Sequence, residues 1–186
     1  MYLKLLNTMA PNTKRLPNEY AEVRYIQALD ADSYVMSGIT GAVCKSAYAK
    51  IQYVSGSSSA NYGVFGAAWA MTGFLFAWGA GQYQFYSNGV YYNVPSIQLD
   101  SQVHEFQLTP TGGTSGNIGS IVRIFGVGAY RSLIIRIYHL IWYNDDGEKV
   151  AEFIPCYRIS DNVCGFYNLI TNTFQAGVGN FAYGTL

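Results

Sequence analysis

Short runs of alternating apolar and polar residues, separated by turn-forming residues, most limit how this 186-residue chain can fold. Between Ala47 and Tyr53, alanine, isoleucine and tyrosine occupy one face of an extended segment, whereas Lys50 and Gln52 occupy the other. Successive side chains of a β-strand point to opposite faces, so this pattern predicts a half-buried strand. No segment combines helix caps with a 3.6-residue period, and the sequence therefore predicts an all-β fold.

The middle and the second half of the chain add further strands. Asn88-Gly89 separates two aromatic runs, Gln82–Tyr86 and Val90–Val94. An Asn-Gly pair favours the tight primed turns that match strand twist, so these runs are predicted to form a hairpin. Many short strands between turns favour a β-sandwich or a barrel. The other predicted strands are His104–Leu108, Ile121–Phe125, Leu133–Tyr143 and Val150–Ile154.

The length corresponds to one domain with a substantial core, because a chain of this size buries roughly 70% of its unfolded surface. We assign residues 16–186 to this domain and residues 1–15 to an N-terminal arm. The arm lacks the apolar core and cleavage site of a secretory signal, so export by that route is not expected. A disordered terminus is one interpretation of the arm. The other is contact with a neighbouring subunit through Tyr2, Leu3, Leu5 and Leu6.

Charge is sparse and balanced. Only 12% of the residues are charged, about half the share in an ordinary soluble domain, and 11 basic residues balance 11 acidic ones. A neutral chain has no net field to attract nucleic acid or an anionic membrane surface. The most apolar run, Ile118–Tyr143, is interrupted by three arginines and a histidine, which argues against a membrane span. We therefore expect neither nucleic acid nor a membrane as a partner, and a low-charge surface favours a homo-oligomer.

The stretch Val150–Gly165 contains the most specific combination of residues. Pro155 has no N–H for a sheet ladder and predicts a strand end or an edge. A polar turn follows, in which Arg158 and Asp161 are predicted to pair locally and to hold its shape. A role of these two side chains in binding is the alternative.

The three cysteines are predicted to be reduced and structural, since they form no C-x-x-C or cysteine–histidine metal spacing. Cys44 lies far from the other two in sequence. Cys156 and Cys164 flank the polar turn, and a disulfide between them is the alternative, which depends on geometry.

Two segments resemble a known family. Leu16–Ile39 begins L-P-N-E-Y-A-E-V-R-Y-I, and Ile137–Gly184 contains F-I-P-C-Y-R-I-S-D-N at 153–162. Both resemble the concanavalin A-like, or laminin-G-like, jelly-roll domains that are common in bacteriophage and prophage proteins of gut bacteria. The resemblance implies a jelly-roll β-sandwich of two antiparallel sheets. It also implies a virion protein, assembled in the cytoplasm of a bacterial host.

No motif predicts catalysis. Jelly-roll relatives that cleave glycans resemble one another in an E-x-D-x-x-E strand, which this chain lacks. Glycoside hydrolysis requires two carboxyl groups at a defined separation. His104 and His139 lie in separate strand patterns, so neither a metal site nor a histidine-dependent nucleophile is expected. The carboxyl candidates all lie in predicted turns: Asp30, Asp32, Asp145, Asp146 and Glu148.

We therefore predict a protein that is not an enzyme and has no cofactor. Calcium binding by Asp30 and Asp32 is a minor alternative, since oxygen ligands in loops suit that ion. The aromatic side chains fit either the core or stacking on sugar rings. Those considered for stacking are Trp69, Trp78, Trp142, Tyr91 and Tyr92.

The functional prediction is a non-catalytic structural or attachment protein of a bacteriophage virion. A capsid-decorating, fibre or tail subunit fits this prediction. The alternative is a glycan-binding adhesion module that is not part of a virion. The expected partners are other virion subunits and, in either case, surface glycans of the host.

Overall fold

The computed structural model describes residues 15–30, 32–56, 62–67, 74–79, 82–87, 90–94, 100–110, 119–125 and 133–186. Within these ranges the chain forms fifteen β-strands and one 3-10 helix, Gly41–Val43. None of the helical structure in these ranges is long and apolar enough to cross a membrane. The prediction of an all-β fold is confirmed. The strands are β1 Tyr20–Glu22, β2 Tyr25–Ala28, β3 Tyr34–Thr40, β4 Ser46–Gly56, β5 Tyr62–Gly66, β6 Leu75–Gly79, β7 Gln82–Ser87, β8 Val90–Asn93, β9 Val103–Leu108, β10 Ile121–Ile124, β11 Leu133–Tyr143, β12 Lys149–Arg158, β13 Cys164–Asn168, β14 Thr173–Val178 and β15 Phe181–Gly184.

Antiparallel pairing links the strands in the order β15-β2-β11-β12-β13-β14-β3-β10-β5-β6-β7-β8. Beside this path, β4 pairs with β11 and β9, and β1 pairs with β12. Strand β14 joins two arrays, because Thr173–Ala176 pairs with β13 whereas Gly177 and Val178 pair with β3. We call β1, β2, β4, β9, β11–β13 and β15 the first array, and β3, β5–β8 and β10 the second array. This curled antiparallel arrangement is consistent with the predicted jelly-roll β-sandwich.

Aromatic side chains from the two arrays meet in one core. The ring of Trp142 on β11 lies 5.4 Å from that of Phe65 on β5 and 5.6 Å from that of Phe74, just before β6. The ring of Phe106 on β9 lies 5.2 Å from that of Phe76 on β6. Each fully buried ring of this kind stabilises the fold by about 3 kcal/mol relative to an exposed one. The core therefore ties the first array to the second.

The predicted hairpin in the aromatic middle is confirmed. β7 pairs antiparallel with β8, and Ser87 lies opposite Val90. The Asn88-Gly89 pair itself lies outside the described residues. Tyr83 and Phe85 of β7 are buried in the core, at 2% and 0% exposure, as the alternation of this run requires.

Pro155 does not end a strand, so the prediction of a strand end at this residue is wrong. It lies within β12, opposite Phe166 of β13. Its carbonyl accepts a hydrogen bond from the N–H of Val23 at 3.0 Å, on the side that faces away from β13. The N–H and C=O of a residue in an antiparallel strand point to the same side, so the missing N–H leaves the ladder with β13 intact. Strand β11 pairs with β12 before this position, up to Phe153, and β1 pairs with β12 after it, from Cys156 onward, so the strand continues through the proline.

Cys156 and Cys164 cannot form a disulfide in this fold. Cys156 lies opposite Gly165, and Cys164 lies opposite Tyr157, so the two cysteines are displaced by one residue across a strand pair. A displacement of one residue places their side chains on opposite faces of the sheet. Cys164 packs towards the main core, whereas Cys156 belongs to a separate apolar cluster on the outer face. All three cysteines are free thiols, as predicted.

That outer cluster anchors the start of the domain. Leu16 and Tyr20 pack on Ile154, Cys156 and Tyr167, which project from β12 and β13. Leu16 is only 4% exposed. The segment before β2 is thereby held on the outer face of the first array, beside the groove described below.

We predict that Gly165→Ala lowers the free energy of unfolding by about 1–3 kcal/mol, the usual cost of overpacking. A Cβ at this position would overlap the carbonyl oxygen of Gln175 and the ring of Phe174. Urea denaturation measures the change. Gly119→Ala is the matched control, because its Cβ would have no atom within 4 Å and its effect should stay within about 0.5 kcal/mol. Equal effects of the two substitutions would contradict the proposed contact.

Candidate functional site

A groove of about 500 Å³ lies on the outer face of the first array. Strands β4, β9 and β11 contribute polar and aromatic side chains to it, and the segment around β1 contributes charged ones. Because these strands are distant in sequence, the groove exists only in the folded chain. The residues that we use to define the groove are Arg15, Glu22, Arg24, Lys50, Glu105, Tyr138 and His139.

Strand β4 sets which side chains reach the groove. Ala47, Ala49 and Ile51 are at most 1% exposed and face the core. The alternate residues of the strand therefore face outward, which confirms the prediction for Lys50 and Gln52. Antiparallel pairing then places Glu105 of β9 and His139 of β11 on either side of Lys50.

Strand β11 departs from strict alternation at the groove. Its register with β4 shifts between Ile137 and His139, which indicates a β-bulge. A bulge lets two consecutive side chains serve one face of a sheet. Tyr138 and His139 consequently both line the groove, whereas Ile137 and Leu140 on either side of them are fully buried.

Glu105 is held as an anion. Its carboxylate lies 2.8 Å from the ammonium of Lys50, and this hydrogen bond, together with one from Tyr48, holds its pKa below the usual range. Burial and the adjacent Glu105 raise the pKa of Tyr48 to about 12, so that hydroxyl remains protonated. The ring of Tyr48 meets the ring of His139 edge-on at 5.6 Å.

His139 and Glu152 form the second polar pair. The imidazole Nε2 lies 3.2 Å from Glu152 Oε1, and Lys149 Nζ lies 2.6 Å from the other carboxylate oxygen. Burial lowers the pKa of His139, and this effect outweighs the attraction of Glu152. Burial alone would raise the pKa of Glu152, but the hydrogen bond and charge of Lys149 keep it below its usual range. At neutral pH the pair is a neutral imidazole beside a carboxylate.

Gln52 connects the groove to a network of hydrogen bonds that includes the guanidinium of Arg136. Its Oε1 accepts from Tyr138 Oη at 2.8 Å and from Arg136 Nη1 at 3.1 Å. Its Nε2 donates to the carbonyl of Ser101 at 2.6 Å, and Arg136 Nε donates to Gln27 Oε1 at 2.9 Å. These bonds fix the Tyr138 side chain in one orientation, because each partner is itself held by another bond.

Tyr25 completes this network with its ring. The guanidinium carbon of Arg136 lies 4.5 Å from the Tyr25 ring centre, and the Tyr138 ring lies 5.4 Å from it. Stacked guanidinium and aromatic groups of this kind contribute about 0.5–1 kcal/mol at exposed sites. The side chains beside the groove therefore form a preorganised aromatic and polar surface.

The residues singled out from the sequence for sugar stacking do not form this surface. Trp78 and Trp142 are buried in the core, at 3% and 0% exposure, which confirms their alternative interpretation as core residues. Trp69 and the side chains of Tyr91 and Tyr92 lie outside the described residues. The arm residues predicted to contact a partner, Tyr2, Leu3, Leu5 and Leu6, also lie outside them.

Asp30 serves a structural role between two loops. Its carboxylate accepts hydrogen bonds from Ser33 Oγ and Asn180 Nδ2, each at 2.7 Å, and from the N–H of Asp32 at 3.1 Å. The bonds from Ser33 and Asn180 hold the pKa of Asp30 below its usual range. Across the ranges that the structure describes, no three His, Cys, Asp or Glu residues are placed to hold a metal ion.

The polar turn after β12 has the predicted local pair. Arg158 Nε and Nη2 donate to the two carboxylate oxygens of Asp161 at 3.0 and 2.7 Å. The carbonyl of Arg158 accepts from the N–H of Asn162, whose φ is 57°. The pair closes the turn between β12 and β13, which confirms that these side chains hold its shape. Both side chains are about two-fifths exposed, so solvent screens the contact and its contribution to stability is small.

The histidines that were considered from the sequence for metal binding or catalysis also lie apart from each other. His104 lies opposite the buried Ile51, and His139 lies opposite the outward Lys50, so the two histidines occupy opposite faces of the first array. Asp146 and Glu148 donate their backbone N–H groups to the side chain of Asn144 in the predicted turn.

Sequence reasoning missed Glu105 and Arg24, which line the groove, and Glu152 and Arg136, which lie beside it. Alternation within β9 would have placed Glu105 on the outer face beside Lys50 if the pairing of β4 with β9 had been known. No sequence signal marks the bulge in β11. Arg136 and Gln52, which are 84 residues apart, come together only through the pairing of β4 with β11.

Comparison of the chain with protein-family models, with curated proteins and with solved structures yields no match. The resemblance to concanavalin A-like domains therefore remains a prediction that rests on the segments quoted above.

We predict that His139 titrates below the ordinary histidine pKa of about 6.5, because burial penalises its charged form. Proton NMR of the imidazole signals measures the midpoint. The chain contains only two histidines, so His139→Gln assigns the signal and leaves that of His104 as an internal control. A midpoint above 6.5 would show that the attraction of Glu152 dominates instead.

The lowered pKa of His139 also determines the direction in which stability changes with pH. Just below pH 6.5 the unfolded chain binds more protons at this residue than the folded chain, so acidification through that window lowers the free energy of unfolding. His139→Gln should remove this part of the pH dependence when urea denaturation is compared at pH 7 and pH 5.5.

Proposed function

We propose that this chain is a non-catalytic attachment protein of a bacteriophage particle and that it binds a surface glycan in the groove. The observation that carries this proposal is the combination of a tyrosine ring and fixed hydrogen-bonding side chains along one outer face. Tyr138 presents an aromatic ring there, whereas Glu105, Lys50 and His139 present acceptors and donors. Sugars offer the complementary surface, since their apolar faces stack on aromatic rings and their hydroxyl groups both donate and accept.

Preorganisation supports binding by this surface. Tyr138 is held by its hydrogen bond to Gln52 and by the ring of Tyr25. Lys50 and Glu105 hold each other by their ion pair. Side chains that are already ordered lose less conformational entropy when a ligand binds, which improves affinity. A volume of about 500 Å³ falls within the range of small-ligand pockets, roughly 300–1,000 Å³.

The ionisation of the carboxyl groups supports a role without catalysis. Glycoside hydrolysis requires one carboxyl group that stays protonated to donate to the leaving group. Here the pKa of Glu105 and that of Glu152 both lie below the usual range, because each carboxylate bonds to a lysine. Neither group holds a proton at neutral pH, and His139 is neutral there as well.

The placement in a virion rests on the resemblance of Leu16–Ile39 and Ile137–Gly184 to phage jelly-roll domains. As part of the same proposal, copies of the chain associate in the particle through contacts of the N-terminal arm, made by Tyr2, Leu3, Leu5 and Leu6. A glycan-binding adhesion module outside a virion is the second candidate, because it would use the same groove. The two candidates differ in where the protein is found.

We predict that Tyr138→Ala weakens glycan binding about ten-fold, equivalent to 1.4 kcal/mol, because the aromatic face and the hydroxyl held by Gln52 are both lost. A glycan array identifies the ligand, and calorimetric titration measures the affinity. Tyr183→Ala is the matched control, since Tyr183 is 40% exposed, its ring stacks on Tyr157, and it does not line the groove. Absence of binding to any glycan, or equal weakening by both variants, would refute the proposed site.

We predict that the chain is present in purified particles of the phage or prophage that encodes it. Mass spectrometry of density-purified particles should detect its peptides in a constant ratio to a capsid protein. If mature particles lack the chain while the isolated protein binds a glycan, the adhesion module outside a virion is correct and the virion assignment is wrong.

A further inference from the structure

One cation in the groove lacks the carboxylate partner that its neighbours have. Arg15 pairs with Glu22, and Lys50 pairs with Glu105. Arg24 also lines the groove and is exposed, but no carboxylate of the described residues pairs with it. Its guanidinium is therefore available to an anion from solution.

The backbone of Arg24 is fixed even though its side chain is exposed. The N–H of Arg24 donates to the carbonyl of Gly184 at 2.7 Å, and the preceding residue, Val23, donates to Pro155 at 3.0 Å. Val23 is 3% exposed and packs in the core. The side chain of Arg24 thus starts from a rigid position at the margin of the groove.

A second guanidinium adds to the positive charge beside the groove. Arg136 bonds only to the neutral side chains of Gln27 and Gln52 among the residues described, and it stacks on the ring of Tyr25, the neighbour of Arg24 in the chain. The carboxylates of Glu22 and Glu105 are already paired, so neither neutralises Arg24 or Arg136. With His139 neutral, this side of the groove carries an excess of positive charge.

We propose that the glycan bound in the groove is acidic and that Arg24 binds a sugar carboxylate, as found in uronic acids. This inference rests on the function proposed above. A guanidinium presents two parallel N–H donors that match the two oxygens of a carboxylate, which gives both strength and orientation. The tyrosine and amide groups of the groove contact the neutral part of the same sugar chain. The ion pairs of Lys50 and Arg15 leave Arg24 as the group that selects for the acid.

The test uses the full chain and pairs of saccharides that differ only in charge. The probes are hexasaccharides of galacturonic acid, of mannuronic acid and of hyaluronan, each alongside its carboxyl-reduced, neutral counterpart. We expect at least one acidic probe to bind ten-fold or more tightly than its neutral counterpart. The preference should weaken as sodium chloride is raised, because salt screens exposed charges.

Arg24→Gln should reduce this preference to less than two-fold while binding of the neutral counterpart stays unchanged. Arg123→Gln is the control, because Arg123 lies on β10 of the second array, where it stacks on Tyr34. Equal losses in both variants would indicate attraction by overall charge and would overturn the role of Arg24. Circular dichroism of each variant confirms that it is folded.

The outcomes separate this inference from the function on which it rests. If neutral glycans bind as tightly as acidic ones and Tyr138→Ala weakens them, the groove binds glycans but the preference for acid is wrong. If only the neutral counterparts bind, the groove binds glycans but Arg24 does not bind a sugar carboxylate. If no saccharide binds, both proposals are wrong.

Discussion

The long pairing of β4 with β11 is the constraint on which both the core and the groove depend. It runs from Ser46 opposite Tyr143 to Gly56 opposite Leu133. On the inner face it places small residues of β4, such as Ala49, beside Leu140 and the large ring of Trp142, which reaches the second array. On the outer face the same pairing places Lys50 beside His139. A shift of one residue would exchange the two faces, so the hydrophobic core fixes the register that assembles the groove.

Much of the fold follows from the local pattern of the sequence. Alternation from Ala47 to Tyr53 predicts which side chains of β4 are buried, because successive side chains of a strand point to opposite faces and the apolar face packs on the core. The hairpin of β7 and β8 is predicted by the Asn-Gly pair between them. The turn of Arg158 and Asp161 is predicted because both partners lie three residues apart. In each case the interacting groups are close in sequence, and the residue types alone decide the outcome.

The groove is harder to predict, because its contacts join distant segments. Gln27 and Arg136 are 109 residues apart, and only the sheet topology brings them together. Pro155 shows the same limit, since whether a missing N–H ends a strand depends on the side to which that group would point. The resemblance of Leu16–Ile39 and Ile137–Gly184 points to a fold and to a setting. It does not include the outward residues of β4 and β9, which supply Lys50 and Glu105.

The ion pairs beside the groove support the proposal of a binding role without catalysis. A group that transfers a proton must change its charge during the reaction, and a neighbour of opposite charge opposes that change. Lys50 stabilises the ionised form of Glu105, and Lys149 does the same for Glu152. Protonation of either carboxylate would break a hydrogen bond and leave a lysine without its partner. The same pairs keep the surface rigid and limit how readily these charges respond to a ligand. Under the proposed function, discrimination would come from groups of the groove that these ion pairs do not occupy, namely the ring of Tyr138 and the guanidinium of Arg24.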